Sequence, residues 1–591
     1  MTTFDYRRTH KCHELSKTNI GQTVTLSGWV NRRRDHGGLI FIDLRDRFGI
    51  TQLVFDPAVN VEVHAMAEKL RPEWVISVKG SVIPRAEGMA NPKMATGEIE
   101  IQVKELEILS QAKTPPFSIC DEHIDVNEEL RLKYRYLDMR RGAVTQRMIM
   151  RHKAMQVVRR YMDSQEFLEI NTPMFTRSTP EGARDFLIPS RVHHGQFYAL
   201  PQSPQILKQI LMVGGMDRYF QIAPCFRDED SRADRQPEFY QIDMEMSFVT
   251  REELFSVAEG LLKDLFKECL NVDVPTPFPR YTHAECLENY GSDKPDMRFD
   301  MKFVRLDDIA RRSTFSILQQ QLEMGGVIKA FCVKGGSDIS RKKIDEYTQF
   351  IGRFGVEGLA WMKLQEDGLA SNIVKFFSPE LQQELIAKMG MQVGDLIFIA
   401  AGAVDRVNQG MDHLRRLIAK ERNLIPEGVY KFMWVIDFPL FSWNADEKRL
   451  ESEHHPFTSP FPEDIHLLDT EPLKARSSSY DIVLNGYELA SGSQRIHSGE
   501  VQEKIFKILQ LSEEEIKGKF GFFIEALSYG TPPHIGVALG FERLMMILTG
   551  TENMRDVMAF PKTNKGLDLM MEAPSEVALQ QLAELHIKVV N

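Results

Sequence analysis

Three segments far apart in the chain carry a similar mixture of arginine, carboxylate and either glycine or strand-forming residues. They are FRDED at Phe226–Asp230, NGYELASGSQR at Asn485–Arg495 and GFER at Gly540–Arg543. They make one site only in a fold that brings them together. Arginine forks match phosphate and carboxylate oxygens, and acidic side chains hold hard cations. Together the segments suit a nucleoside triphosphate, a metal and a small molecule bearing a carboxylate.

A chain of 591 residues exceeds what one hydrophobic core supports, so several domains are expected. With 43% hydrophobic and 27% charged residues the composition is globular rather than disordered. The net charge of −11 gives no general pull on nucleic acid, but local basic patches decide phosphate contacts. Cys12, Cys120, Cys225, Cys269, Cys286 and Cys332 form no CxxC pair, which fits a reducing compartment and speaks against a structural zinc. No apolar run approaches about 18 residues, and the opening MTTFDYRRTHKCHEL has no signal-peptide core. A soluble cytoplasmic protein with no membrane segment is expected.

The fold class read from the pattern is multidomain α+β. Between Thr23 and Leu109 the runs TVTLSGWV, LIFIDLRD, ITQLVFD, WVISVKGSVI and GEIEIQVKELEIL alternate like strands, with turn signals between them, and predict a small closed barrel of the OB type. TPPF at Thr114–Phe117 marks a hinge, and a helical stretch follows from RLKYRYLDMRR. Strands and loops alternate from Phe167 to Phe248, and Glu252–Cys269 has helical spacing. Residues 298–422 lack the arginine and carboxylate constellations and read as an inserted α+β domain. The expected division is 1–109, a hinge at 110–140, then 141–297, the insertion at 298–422, and 423–591.

Strand period puts Gln221, Cys225 and Arg227 on one face, and Phe239, Gln241, Asp243 and Glu245 on one face of the partner strand. Asn485-Gly486 predicts a two-residue hairpin turn. That turn pairs Val483 with Glu488 and leaves Asp481 and Glu488 as diagonal neighbours on one face, about 7 to 8 Å apart, able to hold Mg²⁺ against phosphates. Strict alternation sends Arg495 to the opposite face from Glu488, so a bulge at Ser491-Gly492 is expected. In GTPPHIGVALGFER an apolar strand ends at Gly540, and a helix begins whose first turn carries Arg543, a setting that favours anions. His454 and His455 are adjacent and cannot easily chelate one ion from a strand.

In order and context the three segments resemble the signature motifs of class II aminoacyl-tRNA synthetases. The rest of the chain resembles the bacterial-type aspartyl enzymes of subclass IIb. The resemblance implies an antiparallel-sheet catalytic domain, an anticodon-binding barrel, and an insertion similar to the GAD-like domain of such enzymes. It implies that Arg227 and Arg543 carry the chemistry. Arg227 would meet the α-phosphate and substrate carboxylate, Glu229 the adenine amino group and Phe239 the base. Gln236, Glu488, Gly540, Phe541, Glu542 and Arg543 would complete the ATP site, with Asp481 and Glu488 on Mg²⁺. Aspartate would be held by Glu181, Gln205, Lys208, Arg227, His454 and Arg495. FLEINTPMFTRSTPEGARDF at Phe167–Phe186 is similar to the first motif, with Pro173 at its centre, and implies a homodimer.

For the barrel the resemblance implies that Phe41 stacks on an anticodon base, Gln52 reads the central uracil and Glu100 the first base. Arg32, Arg33 and Arg34 offer phosphate contacts, and Arg85 and Asn91 complete that surface. The implied activity is ATP-dependent attachment of L-aspartate to tRNA(Asp), and to tRNA(Asn) as well. His36 and Gly88 bear on that second substrate, because strictly aspartate-specific relatives tend to carry Leu and Lys there. The alternatives are an enzyme confined to tRNA(Asp), the sister asparaginyl or lysyl enzymes, and a catalytically silent RNA-binding paralogue. Lys208 and Arg495 argue for a substrate with two carboxylates, and intact Arg227, Glu229, Asp481, Glu488 and Arg543 argue against a silent protein.

Overall fold

The computed structural model describes residues 4–121, 125–179, 183–230 and 233–590. The chain forms two compact units. One comprises Met1–Lys153, Asp230–Gln236 and Thr549–Ala578, and the other Ala154–Glu229, Pro237–Leu548 and Leu579–Asn591.

The first unit contains a closed five-stranded barrel. Its strands are β1 (Thr23–His36), β2 (Leu39–Arg45), β3 (Ile50–Phe55), β4 (Val75–Pro84) and β5 (Ile99–Ser110), ordered β1-β2-β3-β5-β4 with β4 returning to β1. Alternate residues fill its interior, among them Leu26, Val30, Ile40, Ile42, Leu44, Leu53, Ile76, Val78 and Ile101. β1 runs further than the sequence suggested. Arg32, Arg33 and Arg34 pair with Asp43, Ile42 and Phe41 inside the ladder, and His36 is its last residue. Gly37 and Gly38 alone make the turn, with φ of 61° and 83°. A helix at Val61–Glu68, which the strand pattern did not reveal, joins β3 to β4 and is capped by the Asn60 side chain.

The second unit is built on two sheets. The larger uses β6 (Leu168–Glu169), β9 (Arg218–Phe226), β10 (Glu238–Ser247), β11 (Arg280–Thr282), β17 (Phe432–Ile436), β20 (Ser479–Leu484), β21 (Tyr487–Gln494) and β22 (His534–Gly540), with a separate hairpin of β7 (Leu187–Pro189) and β8 (Phe197–Ala199) between β6 and β9 in the chain. Its order is β11-β17-β20-β21-β22-β10-β9-β6, antiparallel except at the two ends. The helix Arg251–Leu270 packs on one face, where Phe255 stacks on Trp434 and meets Tyr480 edge-on. That leaves the other face for polar side chains.

The smaller sheet lies within residues 304–421. It is ordered β12 (Val304–Arg305), β13 (Val327–Val333), β16 (Leu396–Gly402), β14 (Leu359–Gln365) and β15 (Gly368–Ala370). Both its faces are covered: Phe331 and Val333 face one hydrophobic cluster, and Ile328 and Ala330 the other. A further antiparallel pair is β18 (Phe441–Asn444) with β19 (Arg449–Ser452).

Candidate active site

Register brings together the strands that carry the three motif segments, and alternate residues of those strands line one face of the large sheet. Phe239, Gln241, Asp243 and Glu245 of β10 oppose Cys225, Ala223, Gln221 and Tyr219 of β9. On the other side Gln241, Asp243, Glu245 and Ser247 oppose Gly540, Ala538, Gly536 and His534 of β22. Ser491 and Ser493 of β21 continue the face, and Asp481 of β20 opposes Ser491. The small residues of β22 form the floor. A Cβ on Gly536 would fall 1.8 Å from Glu245 Oε2, so this glycine makes room for the carboxylate. Small residues at every second position of HIGVALG are the signal in the sequence that marks this floor, and motif matching alone does not use it.

The expected bulge exists but sits earlier. Val483 pairs with Glu488 and Ile482 with Ala490, so Leu489 is the extra residue. One extra residue flips the face of everything after it. Asp481, Glu488, Ser491, Ser493 and Arg495 therefore share a side without a bulge at Ser491-Gly492. Gly492 instead permits close packing, since a Cβ there would lie 2.3 Å from Gly536 O and 2.6 Å from Tyr480 Cε2. Asn485 and Gly486 form the turn as expected, both with positive φ (54° and 86°).

At one end of the face four buried charges interlock. Lys208 comes from the helix Gln205–Val213, in a stretch expected to hold only strands and loops; its short apolar run is ambiguous between helix and strand. Lys208 Nζ lies 2.5 Å from Asp243 Oδ1 and 3.3 Å from Glu245 Oε2. Arg495 donates through Nε and Nη2 to the two oxygens of Glu245 at 3.0 and 3.2 Å, and through Nη1 to Ser493 Oγ and His455 Nε2 at 2.6 and 2.8 Å. Burial pushes Glu245 up, but Arg495 and Lys208 outweigh it and hold its carboxyl below the usual range. Burial raises Asp243 despite Lys208. Burial, then Arg495, keeps His455 well below the usual histidine range, so its ring is a neutral acceptor. The sequence reading put Asp243 and Glu245 on this face and named His455 beside His454, but gave none of the three a place in the site. Two buried atoms here have no hydrogen bond, the acceptor Asp243 Oδ2 and the donor Gln205 Nε2.

At the other end Arg227 stands over the Phe239 ring, 5.1 Å from its centroid, and Nε reaches Gln202 O at 3.4 Å. Glu229 is exposed just beyond. Arg543, in the first turn of the helix Phe541–Thr549, donates from Nη1 to the Glu488 carbonyl. Asp481 Oδ1 is buried without a hydrogen bond, with His454 Nε2 at 3.5 Å. His454 therefore stands at Asp481, while its neighbour His455 stands at Arg495. Burial, then Asp481, raises the Glu488 carboxyl, against Lys294 and Arg543. An orphaned carboxylate oxygen beside a second carboxylate fits a hard cation. Among the described residues no three His, Cys, Asp or Glu side chains converge, so phosphate oxygens and water would complete any Mg²⁺ shell.

Several expected residues are used otherwise. Phe541 and Glu542 are buried, and Glu542 Oε2 accepts the Tyr240 N–H at 2.7 Å, a structural bond rather than an open ligand site. Gln236 belongs to the first unit, where its Oε1 accepts the Lys562 N–H at 2.8 Å. Glu181 lies outside the described residues.

On the barrel, exposed Arg32 and Arg34 and half-buried Phe41 and Glu100 surround the buried polar side chains of Asp43 and Gln52. Arg34 Nη2 reaches Asp43 Oδ1 at 2.7 Å and Gln52 Oε1 at 3.2 Å, and Gln52 Nε2 donates to Glu100 Oε2 at 2.7 Å. Arg85 Nε donates to Ile99 O at 3.2 Å. Arg32 pairs with Asp121 at 3.0 Å. Alternation turns Arg33 to the opposite side, so the three arginines are not one patch. Asn91 Oδ1 accepts the Lys93 N–H at 3.1 Å, and Gly88 is exposed with φ of 76°.

Comparison with known proteins agrees with this geometry. The family described as tRNA synthetases class II (D, K and N) matches residues 127–564, and the OB-fold nucleic acid binding domain matches residues 24–109. The chain is 65% identical to the Aspartate--tRNA(Asp/Asn) ligase of Protochlamydia amoebophila, covering 99% of this chain and 98% of that one. It is 57% identical to the protein of that name from Chlamydia caviae, covering 99% and 100%. Among solved structures, asparaginyl-tRNA synthetase from Pyrococcus horikoshii shares the fold with a TM-score of 0.58 at 18% identity, covering 94% of this chain and 98% of that one. Aspartyl tRNA synthetase from Entamoeba histolytica does so with a TM-score of 0.58 at 20% identity, covering 94% and 91%. With a catalytic sheet, an OB barrel and full-length relatives of one kind, this chain belongs to the class II tRNA synthetases of the D, K and N group.

Proposed function

We propose that this chain activates L-aspartate with ATP and transfers it to tRNA(Asp) and tRNA(Asn). The observation that carries the amino-acid assignment is the pair of buried cations Lys208 and Arg495, both on Glu245 of the sheet face that also carries Phe239, the ring beneath Arg227. The orphaned Asp243 Oδ2 suits a substrate ammonium, and the orphaned Gln205 Nε2 a substrate carboxylate. The relatives' shared name supports both the amino acid and the two tRNAs.

In the first step the α-carboxylate of aspartate attacks the α-phosphate, and pyrophosphate leaves. In the second the 3′-hydroxyl of the terminal adenosine takes the aspartyl group, and AMP leaves. No side chain acts as nucleophile; positioning and charge neutralisation carry the rate. Arg227 and Arg543 supply fixed positive charge. Asp481 and Glu488 would hold Mg²⁺, which neutralises phosphate charge when bound. Gly540 supports the ATP assignment. The protein itself has room for a Cβ there, 3.7 Å from Arg543 Cβ and 3.8 Å from Leu489 O, so an approaching ligand is the better reason for the glycine.

The five-part division at 109, 140, 297 and 422 is the functional map that goes with this reading. The barrel surface around Phe41, Gln52 and Glu100 receives the anticodon, with His36 and Gly88 near its third base. A homodimer is supported by exposed apolar residues around the Pro173 segment, including Leu168, Phe175, Phe197 and Tyr198, with Phe175 stacked on Tyr198 at 5.5 Å. A cytoplasmic setting fits a synthetase whose described residues contain no helix long and apolar enough to cross a membrane. Pyrophosphate exchange with aspartate, asparagine and lysine in parallel tests the assignment. Exchange with aspartate alone is expected, and exchange with another of the three instead would overturn it.

A further inference from the structure

The inserted sheet grips a strap that ends at the ATP carboxylates. The helix His283–Tyr290 closes at Gly291, where a Cβ would come 2.4 Å from Asn408 O on the insertion's helix Val404–Glu421. Two cations of the insertion, both at most 1% exposed, spend their hydrogen bonds on this stretch. Lys329 of β13 donates to the carbonyls of Leu287 and Glu288 at 3.0 and 2.9 Å and pairs with the Glu288 carboxylate at 3.0 Å. Arg415 donates to the Asp296 carbonyl at 3.0 Å and lies over the rings of Phe299 and Tyr290, 4.5 and 5.1 Å from their centroids. Burying two long cations in a mostly apolar domain costs free energy that pairing and hydrogen bonding must offset, and the partners here are on this stretch.

What they fix reaches the catalytic hairpin. A Cβ on Gly486 would touch Asp296 Cβ at 3.2 Å, and Gly486 is in the turn between Asp481 and Glu488. Within the strap, Lys294 Nζ lies 3.6 Å from Glu488 Oε2 and 3.7 Å from Asp293 Oδ2. These are ion pairs longer than hydrogen bonds, and the side chain is half exposed, so its charge is available to an anion. Arg543 is the other cation at Glu488. A polyphosphate arriving beside two carboxylates needs positive charge around it.

We propose that Lys294 is a further nucleotide-site residue that meets the polyphosphate of ATP at the Asp481–Glu488 pair, and that Lys329 and Arg415 are positioning residues through which the insertion holds it there. The proposal rests on the ATP reading above. In the full-length chain, Lys294→Met is expected to raise the ATP dissociation constant, measured by equilibrium binding at fixed free Mg²⁺, about tenfold. The KM for ATP in pyrophosphate exchange should rise equally, and the KM for aspartate should move less than about twofold. Lys294→Arg should restore part of the affinity. Unchanged ATP affinity in a folded Lys294→Met protein would overturn the proposal and leave Lys294 an ordinary surface ion pair. Arg415→Lys keeps the buried charge but shortens the reach, and is expected to weaken ATP in the same direction by less. A folded Arg415→Lys protein with wild-type ATP affinity would remove the insertion's role. A wild type that binds ATP but exchanges with no aspartate would defeat the aspartate assignment, while leaving the Lys294 comparison intact.

Discussion

Arg495 has five N–H groups, and the fold already engages four of them on Glu245, Ser493 and His455. Its place depends on Glu245 as much as on any substrate. Arg495→Leu should therefore do two things. It leaves the buried Glu245 carboxylate with Lys208 as its one remaining cationic partner at 3.3 Å, lowering stability by about 3 kcal/mol in urea unfolding. In the protein that remains folded it should weaken aspartate use far more than ATP use; a collapse of ATP affinity instead would show Arg495 to be misassigned. Arg227→Ala and Arg543→Ala should each slow aspartate-dependent pyrophosphate exchange by at least ~100-fold, since each removes a preorganised charge. Near-normal exchange in either would defeat its assignment. Motif context and strand period speak directly about Arg227, Phe239, Asp481 and Glu488, and the structure sets Arg227 over the Phe239 ring and Asp481 on the same side of the hairpin as Glu488. Asp243 and Glu245 were visible only as members of a face, since period gives the side but not the partner across the sheet. The sequence reading named His454 for the aspartate site, whereas in the structure His455 meets Arg495 and His454 meets Asp481, because adjacent residues point apart and a sequence does not say which one faces Arg495.

At the scale of the element, β20–β21 shows what alternation can and cannot supply. The Asn485-Gly486 turn fixed the first pairs, and the need for a parity change before Arg495 was derivable. Its position was not. Leu489 carries the bulge, whereas Gly492 packs against Gly536 and Tyr480. This separates two glycines by test. Gly492→Ala meets backbone that cannot yield and should destabilise by about 1 to 3 kcal/mol in denaturant unfolding. Gly540→Ala has room and should change stability by less than about 0.5 kcal/mol while weakening ATP binding. The reverse pattern would mean that Gly540 is structural. The helices Val61–Glu68 and Gln205–Val213 escaped the sequence reading because each is short, and brief apolar runs do not distinguish helix from strand.

For the whole molecule, the barrel and the large sheet were readable from strand runs and turn residues, and a separate five-stranded sheet lies within the stretch read as an insertion. What the insertion does was unreadable, because Lys329 and Arg415 act through backbone carbonyls that leave no motif. The barrel face of Phe41, Gln52 and Glu100 predicts a division of labour. Phe41→Ala and Gln52→Ala should raise the KM for tRNA, each by the equivalent of about 1 to 3 kcal/mol, and leave pyrophosphate exchange intact. Equal damage to both reactions would mean that these residues support the fold. His36 ends β1 beside the Gly37-Gly38 turn, so His36→Leu tests tRNA choice without backbone strain. Gly88→Lys is less clean, because Gly88 has φ of 76° and any side chain there is strained. The most direct measurement is aspartylation of purified tRNA(Asp) and tRNA(Asn) by the wild-type chain, side by side at one salt concentration. Comparable charging of both is the predicted result, with His36→Leu shifting preference toward tRNA(Asp). Charging of tRNA(Asp) with none of tRNA(Asn) would contradict it.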